Sequence, residues 1–508
     1  MSVRLEAPVK YQGNKIWVDE AIWGHRFYND QTPWFVLLEF LAIFCSREEQ
    51  GRALKEVQQD GMHETFSYHI PKLVPLRQLI FNNPQIHHIE ETKNTDAEQW
   101  HEWFRTFSND NDFRYLKERF GSFSRLARII EFFQTTSIEP HRQRRWSSRF
   151  LFPYGPNCIY ADLPANLGSP DRRFFGRGGE LLYLMLNRSG KGQEVSELIA
   201  KKLLRKDDRW NRVSQALLPE GYKAASNLID SGIGYLPFSE RPEYLALADT
   251  WIKLLKLDLP GEALFDPLMR LTSLHMLLYM LRRSNEEIGD KSEPKFVLEI
   301  ASPKRTTIFE LSKENFAANR MLSSRAVRAF VESAKEDERW EAALDARAPA
   351  DAMRQYLTER FAWEPEDGPP SGGAQSIFDS LREYAENRHQ QHVAKVHSEW
   401  TRQIGLAVSR RGAGTWYSPD DSLLKALVIS TVDEGREEFH RFLSKLYDRF
   451  QIIIGANEAE RAFGNLPTDQ NAFMQNTQRL EQRLKTLGLL RRLSDDCAYV
   501  ENPFRSEL

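Results

Sequence analysis

Apolar residues recur at three- and four-residue steps through most of this chain, the signature of helices that bury one face. The pattern is sharpest near the end. Across 471–487, Phe473, Leu480, Leu484 and Leu487 form one apolar stripe, and Gly488 marks the stop. Two short strand-like runs follow, 489–493 and 497–500, joined by Ser494, Asp495 and Asp496. With the helical patterns before it, the stretch from Asp420 to Phe504 reads helix, helix, helix, hairpin, the order of a winged-helix module.

The same reading applies upstream. Asn29, Asp30, Gln31 and Thr32 offer capping side chains, Pro33 suits a first turn, and an apolar helix follows. Further helices are predicted at 100–107, 111–120, 123–134, 195–204, 222–229, 244–257, 267–283, 316–335 and 350–361. A long polar helix is predicted at 377–408. Residues 64–73 read as extended, and 295–301 with 306–311 as a hairpin turning at Pro303. Residues 176–179 are a sharp turn into an amphipathic helix, its glycines supplying positive φ, and 410–418 are a loop. Residues 364–376, rich in Pro, Gly and acid, are the linker candidate. No repeat of fixed period is present. The expected fold is mainly α and multidomain, with small β elements and a C-terminal winged-helix-like module. Its parts are an aromatic-rich helical domain (1–140), a mostly helical domain with a basic entry (141–363), the linker, and a long helix plus winged module (377–508).

Composition changes this picture only at the margins. The 508 residues allow two to four domains, and 41% hydrophobic against 28% charged residues marks a globular chain. A formal net charge of −3 supplies no general field toward nucleic acid, so any such contact must be local. Cys45, Cys158 and Cys497 are too dispersed for a zinc knuckle or disulfide framework. The first residues lack a signal-peptide core, and the apolar runs 33–45 and 274–281 are too short to span a bilayer. The expectation is a soluble, cytoplasmic protein without a membrane partner.

The candidate chemistry is electrostatic. Arg479, Arg483 and Lys485 fall mainly off the apolar stripe of 471–487, and Arg491 and Arg492 open the hairpin as wing residues do. A helix in a major groove needs such outward groups to meet phosphates and base edges. Glu481, Asp495 and Asp496 support the plainer alternative, a module that docks on protein. A second basic region comprises Arg142, Arg144, Arg145, Arg149, Arg172, Arg173 and Arg177, interleaved with Trp146, Phe150, Phe152, Phe174 and Phe175. Cation plus ring suits a phosphate backbone, and equally an acidic partner.

Other motifs resolve to plainer readings. Gly176, Gly178 and Gly179 lack the lysine and hydroxyl of a phosphate loop. His87 and His88 are adjacent and cannot share one ion, while His389 and His392 read as surface residues of an exposed helix. Asp290, Glu293 and Lys295 mimic a nuclease triplet, but Pro294 interrupts it. The cluster from Trp23 to Trp34 reads as a buried hydrogen-bonded corner. No motif calls for a cofactor or metal.

Three stretches, WGHRFYNDQTPWFVLLEFL, RRFFGRGGELLYLML and LLKALV with NTQRLEQRLKTLGLLRRLSDDCAYVENPF, resemble subunits of bacterial multi-gene anti-phage defence systems of the methylation-associated type. The resemblance implies an accessory, non-catalytic subunit of a restriction-like complex, with a DNA methyltransferase and an ATPase as partners and double-stranded DNA as a ligand. It carries no active-site residues. A pure protein-interaction scaffold and a diverged metal-dependent nuclease are the alternatives.

Overall fold

The computed structural model describes residues 16–24, 27–55, 65–107, 112–138, 150–160, 176–233, 235–300, 306–365, 371–433, 435–464, 469–494 and 497–504. The protein is mainly helical with small sheets. Helix α1 (Asp19–Trp23) leads into α2 (Pro33–Glu49), whose N-cap Thr32 accepts a hydrogen bond from the Phe35 amide. Strand β1 (Thr65–Lys72) follows, as its extended pattern predicts. Then come α3 (Val74–Phe81), α4 (Gln85–Thr92), α5 (Asp96–Thr106), α6 (Tyr115–Phe120) and α7 (Phe123–Thr135). Trp100, Trp103, Phe107, Phe113 and Phe123 fill the space among these last helices, which accounts for the aromatic-rich start of the chain.

Helix α8 (Gly178–Asn187) is buried on every side and lies against α2. Next are α9 (Gly192–Lys202) and α10 (Arg209–Ala216). The predicted helix at 222–229 is not formed. Ala225–Ile233 is strand β2, antiparallel to β1. The stretch is loaded with Ser, Asn, Asp and Gly, poor helix formers, and a distant strand supplies the ladder.

Helices α11 (Pro242–Leu255) and α12 (Gly261–Glu287) follow. Spanning about 40 Å, α12 is apolar nearly all round and is the axis of the core. It starts upstream of the predicted position because Pro267 is carried inside it.

The predicted hairpin at 295–311 is also wrong. Strand β3 (Phe296–Val297) pairs in parallel with a strand much later in the chain, Ile452–Ile453. Thr306 instead caps helix α13 (Thr307–Glu332) through its side-chain oxygen and the Phe309 amide. Then come α14 (Glu338–Leu344) and α15 (Pro349–Phe361).

The single long helix expected at 377–408 is two, α16 (Ala374–His392) and α17 (Val396–Gln403). Asn29 explains the break. Its side-chain amide donates to the Gln391 carbonyl and its oxygen accepts from the Lys395 amide, at 2.8 Å each. The stretch expected as loop 410–418 holds a hairpin, β4 (Ala407–Arg410) and β5 (Gly414–Tyr417).

The remaining elements are α18 (Asp421–Thr431), β6 (Arg436–Glu438), α19 (Phe439–Phe450), β7 (Ile452–Ile453), α20 (Ala456–Phe463), α21 (Gln470–Thr486), β8 (Leu490–Ser494) and β9 (Cys497–Glu501). Strands β6, β9 and β8 make an antiparallel sheet with β9 in the middle. One contiguous cluster of buried side chains runs from Ile16 to Val500 through all of the sequence-defined segments, and even the linker candidate 364–376 contributes Ala374 to it; residues 366–370 lie outside the described residues.

Candidate nucleic-acid interface

The C-terminal elements are held from below. Phe473, Leu480 and Leu484 of α21 are buried, and Leu487 is half-buried against the core, as the stripe predicts. Gly488 takes φ +72°, and the amides of Gly488 and Leu489 return to the carbonyls of Lys485 and Leu484, closing the helix end. The deepest anchor is Asn476, fully buried. Its oxygen accepts from the Ile300 amide at 2.8 Å, and its nitrogen donates to the carbonyls of Leu298 and Ile454 at 2.9 and 3.0 Å. One side chain thus clasps the segments that continue β3 and β7 beneath α21.

Burying Phe473, Asn476, Leu480 and Leu484 fixes what α21 shows outward. The opposite stripe is Asn471, Met474, Gln475, Gln478, Gln482 and Lys485, all exposed. Primary amides at this spacing are groups that pair with base edges, adenine above all, and Lys485 adds a charge. Sequence reasoning followed the arginines and passed over these glutamines. The signal was present as Q-x-x-Q-x-x-x-Q on the polar side of the stripe.

The five predicted cations of this region divide. Lys485 and Arg491 are exposed and Arg479 is half-buried, and none of the three has an ion-pair partner among the described residues. Arg483 is different. Its Nε donates to Asp421 at 2.7 Å and its Nη1 to the Pro419 carbonyl at 2.9 Å, tying α21 to the start of α18. At roughly 100° per residue it sits at the edge of the buried stripe rather than on the outer one. Arg492 lies 3.3 Å from Glu481. On the sheet, Arg491 is opposite Tyr499, and the Arg436 guanidinium stacks 5.1 Å over that ring. Lys445 bridges Glu437 and Asp433, at 2.5 and 2.9 Å, so β6 is fixed to α19.

Of the second basic region, Arg142, Arg144, Arg145, Arg149, Arg172 and Arg173 lie outside the described residues, with Trp146, Phe174 and Phe175. Phe150 is buried against Phe35, and Phe152 packs on Phe265. Arg177 points inward, its Nε 3.9 Å from the buried Glu180.

That inward turn organises a buried carboxyl pair. Arg177 carries the positive φ (+73°), not the glycines expected to. Gly178 and Gly179 are required for closeness instead. A Cβ on Gly179 would sit 2.6 Å from the Phe40 nitrogen and from Glu39 side-chain carbons. The amides of Arg177 and Gly179 donate to the Glu39 carboxyl, and the Gly178 amide to Gln31, which itself donates to Glu39. The amide donors at this helix start are therefore taken up by the protein's own Glu39 and Gln31. Tyr68 donates to Glu180 at 2.9 Å. Burial, then repulsion from Glu180, pushes Glu39 up to about 8, and burial raises Glu180 as well.

His389 is not a surface residue. Buried, its Nδ1 lies 2.8 Å from Asp19 Oδ1 and its Nε2 3.1 Å from Ser323 Oγ. The order is that of a hydrolytic relay, yet Ser323 is inside α13, where its amide is committed to the helix and cannot form an oxyanion hole. The array cross-ties α1, α13 and α16. His392 stacks on Tyr28. Of the predicted corner, Trp23, Phe27 and Gln31 are buried, Asp30 is exposed, and His25 and Arg26 lie outside the described residues. Trp23 donates to the Met280 carbonyl, Tyr279 to that of Trp23, and Trp400 to that of Gln31.

Asp290, Glu293 and Lys295 do not converge: Asp290 accepts from the Ser292 amide, Glu293 pairs with Arg282, and Lys295 donates to the Ala462 carbonyl. Among the described residues no three His, Cys, Asp or Glu side chains are grouped to hold a metal ion, and no helix is long and apolar enough to cross a membrane. No family model and no curated protein matches this chain.

Proposed function

We propose that this chain is a non-catalytic subunit of a bacterial restriction-like anti-phage system, linking double-stranded DNA to partner effectors. The observation that carries the DNA reading is the outward stripe of Gln475, Gln478, Gln482 and Lys485 on α21, flanked by Arg479 and followed on the sheet by Arg491. The order α18, β6, α19, β7, α20, α21, β8, β9, with β9 between β6 and β8 and β7 paired elsewhere with β3, supports a winged-helix reading in which α21 enters the major groove. The defence setting, with a methyltransferase and an ATPase as partners, rests on the sequence resemblance.

A scaffold reading has its own support. Met474 and Leu493 are 52% and 57% exposed on this same module, which suits a protein partner. A plaque assay in cells carrying the whole gene cluster tests both. Deleting the chain abolishes protection. Wild type restores it, and Gln478→Glu with Lys485→Glu does not. Full restoration by that variant removes DNA contact through α21, and unchanged plaque counts on deletion remove the defence role.

A further inference from the structure

The β4–β5 hairpin, invisible in the sequence pattern, ends in Ser409-Arg410-Arg411-Gly412-Ala413-Gly414-Thr415. The Ala413 amide returns to the Arg410 carbonyl at 3.1 Å, and Gly412 takes φ +80°, a tight turn with glycine where positive φ is required. Arg410 and Arg411 are exposed at its tip, and neither has a carboxylate in ion-pair range among the described residues. The Arg410 guanidinium stacks 5.7 Å over Trp416. That ring is itself buried, packed on Phe309 at 4.8 Å and bonded to Glu299. The tip is therefore a braced cation. Lys313 of α13 stands beside it, its Cε 3.3 Å from where a Gly414 Cβ would be.

The hairpin is tied to α21 at its base and through α13. Pro419, two residues past β5, takes a hydrogen bond from Arg483 of α21. Thr307 at the start of α13 donates to Asp469, the α21 N-cap. At the usual strand rise, the tip stands about 10 Å from Tyr417.

We infer that the Arg410–Arg411 tip is a second phosphate-backbone contact for the same double-stranded DNA. This rests on the DNA reading of α21. The chemistry of the tip favours a polyanion over a protein surface. It offers two adjacent cations on a backbone of small residues that admits close approach, and it carries no large apolar side chain to anchor a protein interface.

The test measures affinity of the full chain for a short duplex against salt concentration. Three proteins are compared: wild type, Arg410→Ala with Arg411→Ala, and Gln478→Glu with Lys485→Glu. Two lost phosphate contacts make the log–log salt slope of the hairpin variant shallower by about 1.8, with an unchanged thermal midpoint because the tip is exposed. An unchanged slope in that variant, while the α21 variant binds more weakly, overturns the hairpin contact and leaves the α21 reading intact. A shallower slope in the hairpin variant with unaltered binding by the α21 variant overturns the α21 reading, and with it the tip as a second contact for the same duplex. Wild type that binds no duplex at low salt overturns both.

Discussion

Glu39 and Glu180 are both fully buried and repel each other, and their protonation couples to folding. Glu39 is held at about 8 in the folded protein by burial and by Glu180, against about 4.3 in an unfolded chain. The folded state binds the proton more tightly, so its contribution is fully present at acid pH and is lost as pH rises toward 8. The Glu39 contribution to the thermal midpoint, read as wild type against Glu39→Gln, should fall between pH 5 and pH 8. Glu180→Gln keeps the acceptor for Tyr68 and removes the repulsion, so its midpoint should fall less over that window and exceed wild type at pH 8. A parallel decline in both proteins contradicts this. Close approach makes a second residue-scale prediction. Gly179→Ala drives a methyl into the Phe40 backbone and should destabilise by about 1–3 kcal/mol in a urea titration, the usual range for overpacking. Neither residue's role was legible beforehand. The glycines pointed to a turn, and only the partner helix reveals that they make room for Glu39.

At the scale of elements, α21 separates cations that the sequence treats alike. Lys485 points outward, while Arg483 is an internal tie to Asp421 and Pro419. Arg479→Glu with Lys485→Glu should lower duplex affinity at an unchanged thermal midpoint. Arg483→Glu should lower the midpoint itself, because it sets a carboxylate against Asp421 and a carbonyl. Equal midpoints in the two variants contradict the division. Asn476→Asp should cost more stability than Asn476→Ala at neutral pH, since a buried carboxylate would face the Leu298 and Ile454 carbonyls. Most helices were legible from periodicity, because a half-buried helix writes its inner face into the chain. Three of the failures share one cause. Strand β2, the β3–β7 pair and the break at 393–395 depend on distant partners, namely β1, β7 and Asn29, which no local window contains.

For the whole molecule, composition gave a globular chain with a faint negative charge, and local patterns divided it into segments. The segments share one core. Residues as far apart as Ile16 and Val500 belong to the same buried cluster, with α12 at its axis. Calorimetry should therefore record one dominant unfolding transition; two well-separated transitions contradict a shared core. The polar face of α21 was legible only as the complement of its apolar stripe, and its glutamines stand out once Asn476, Leu480 and Leu484 are seen to point inward. The most direct measurement is lysine acetylation footprinting of the full chain at low ionic strength, with and without duplex. Lys485 on α21 should be protected by DNA, while exposed Lys201 on α9 reacts equally in both states. Equal acetylation of Lys485 with and without the duplex contradicts the account.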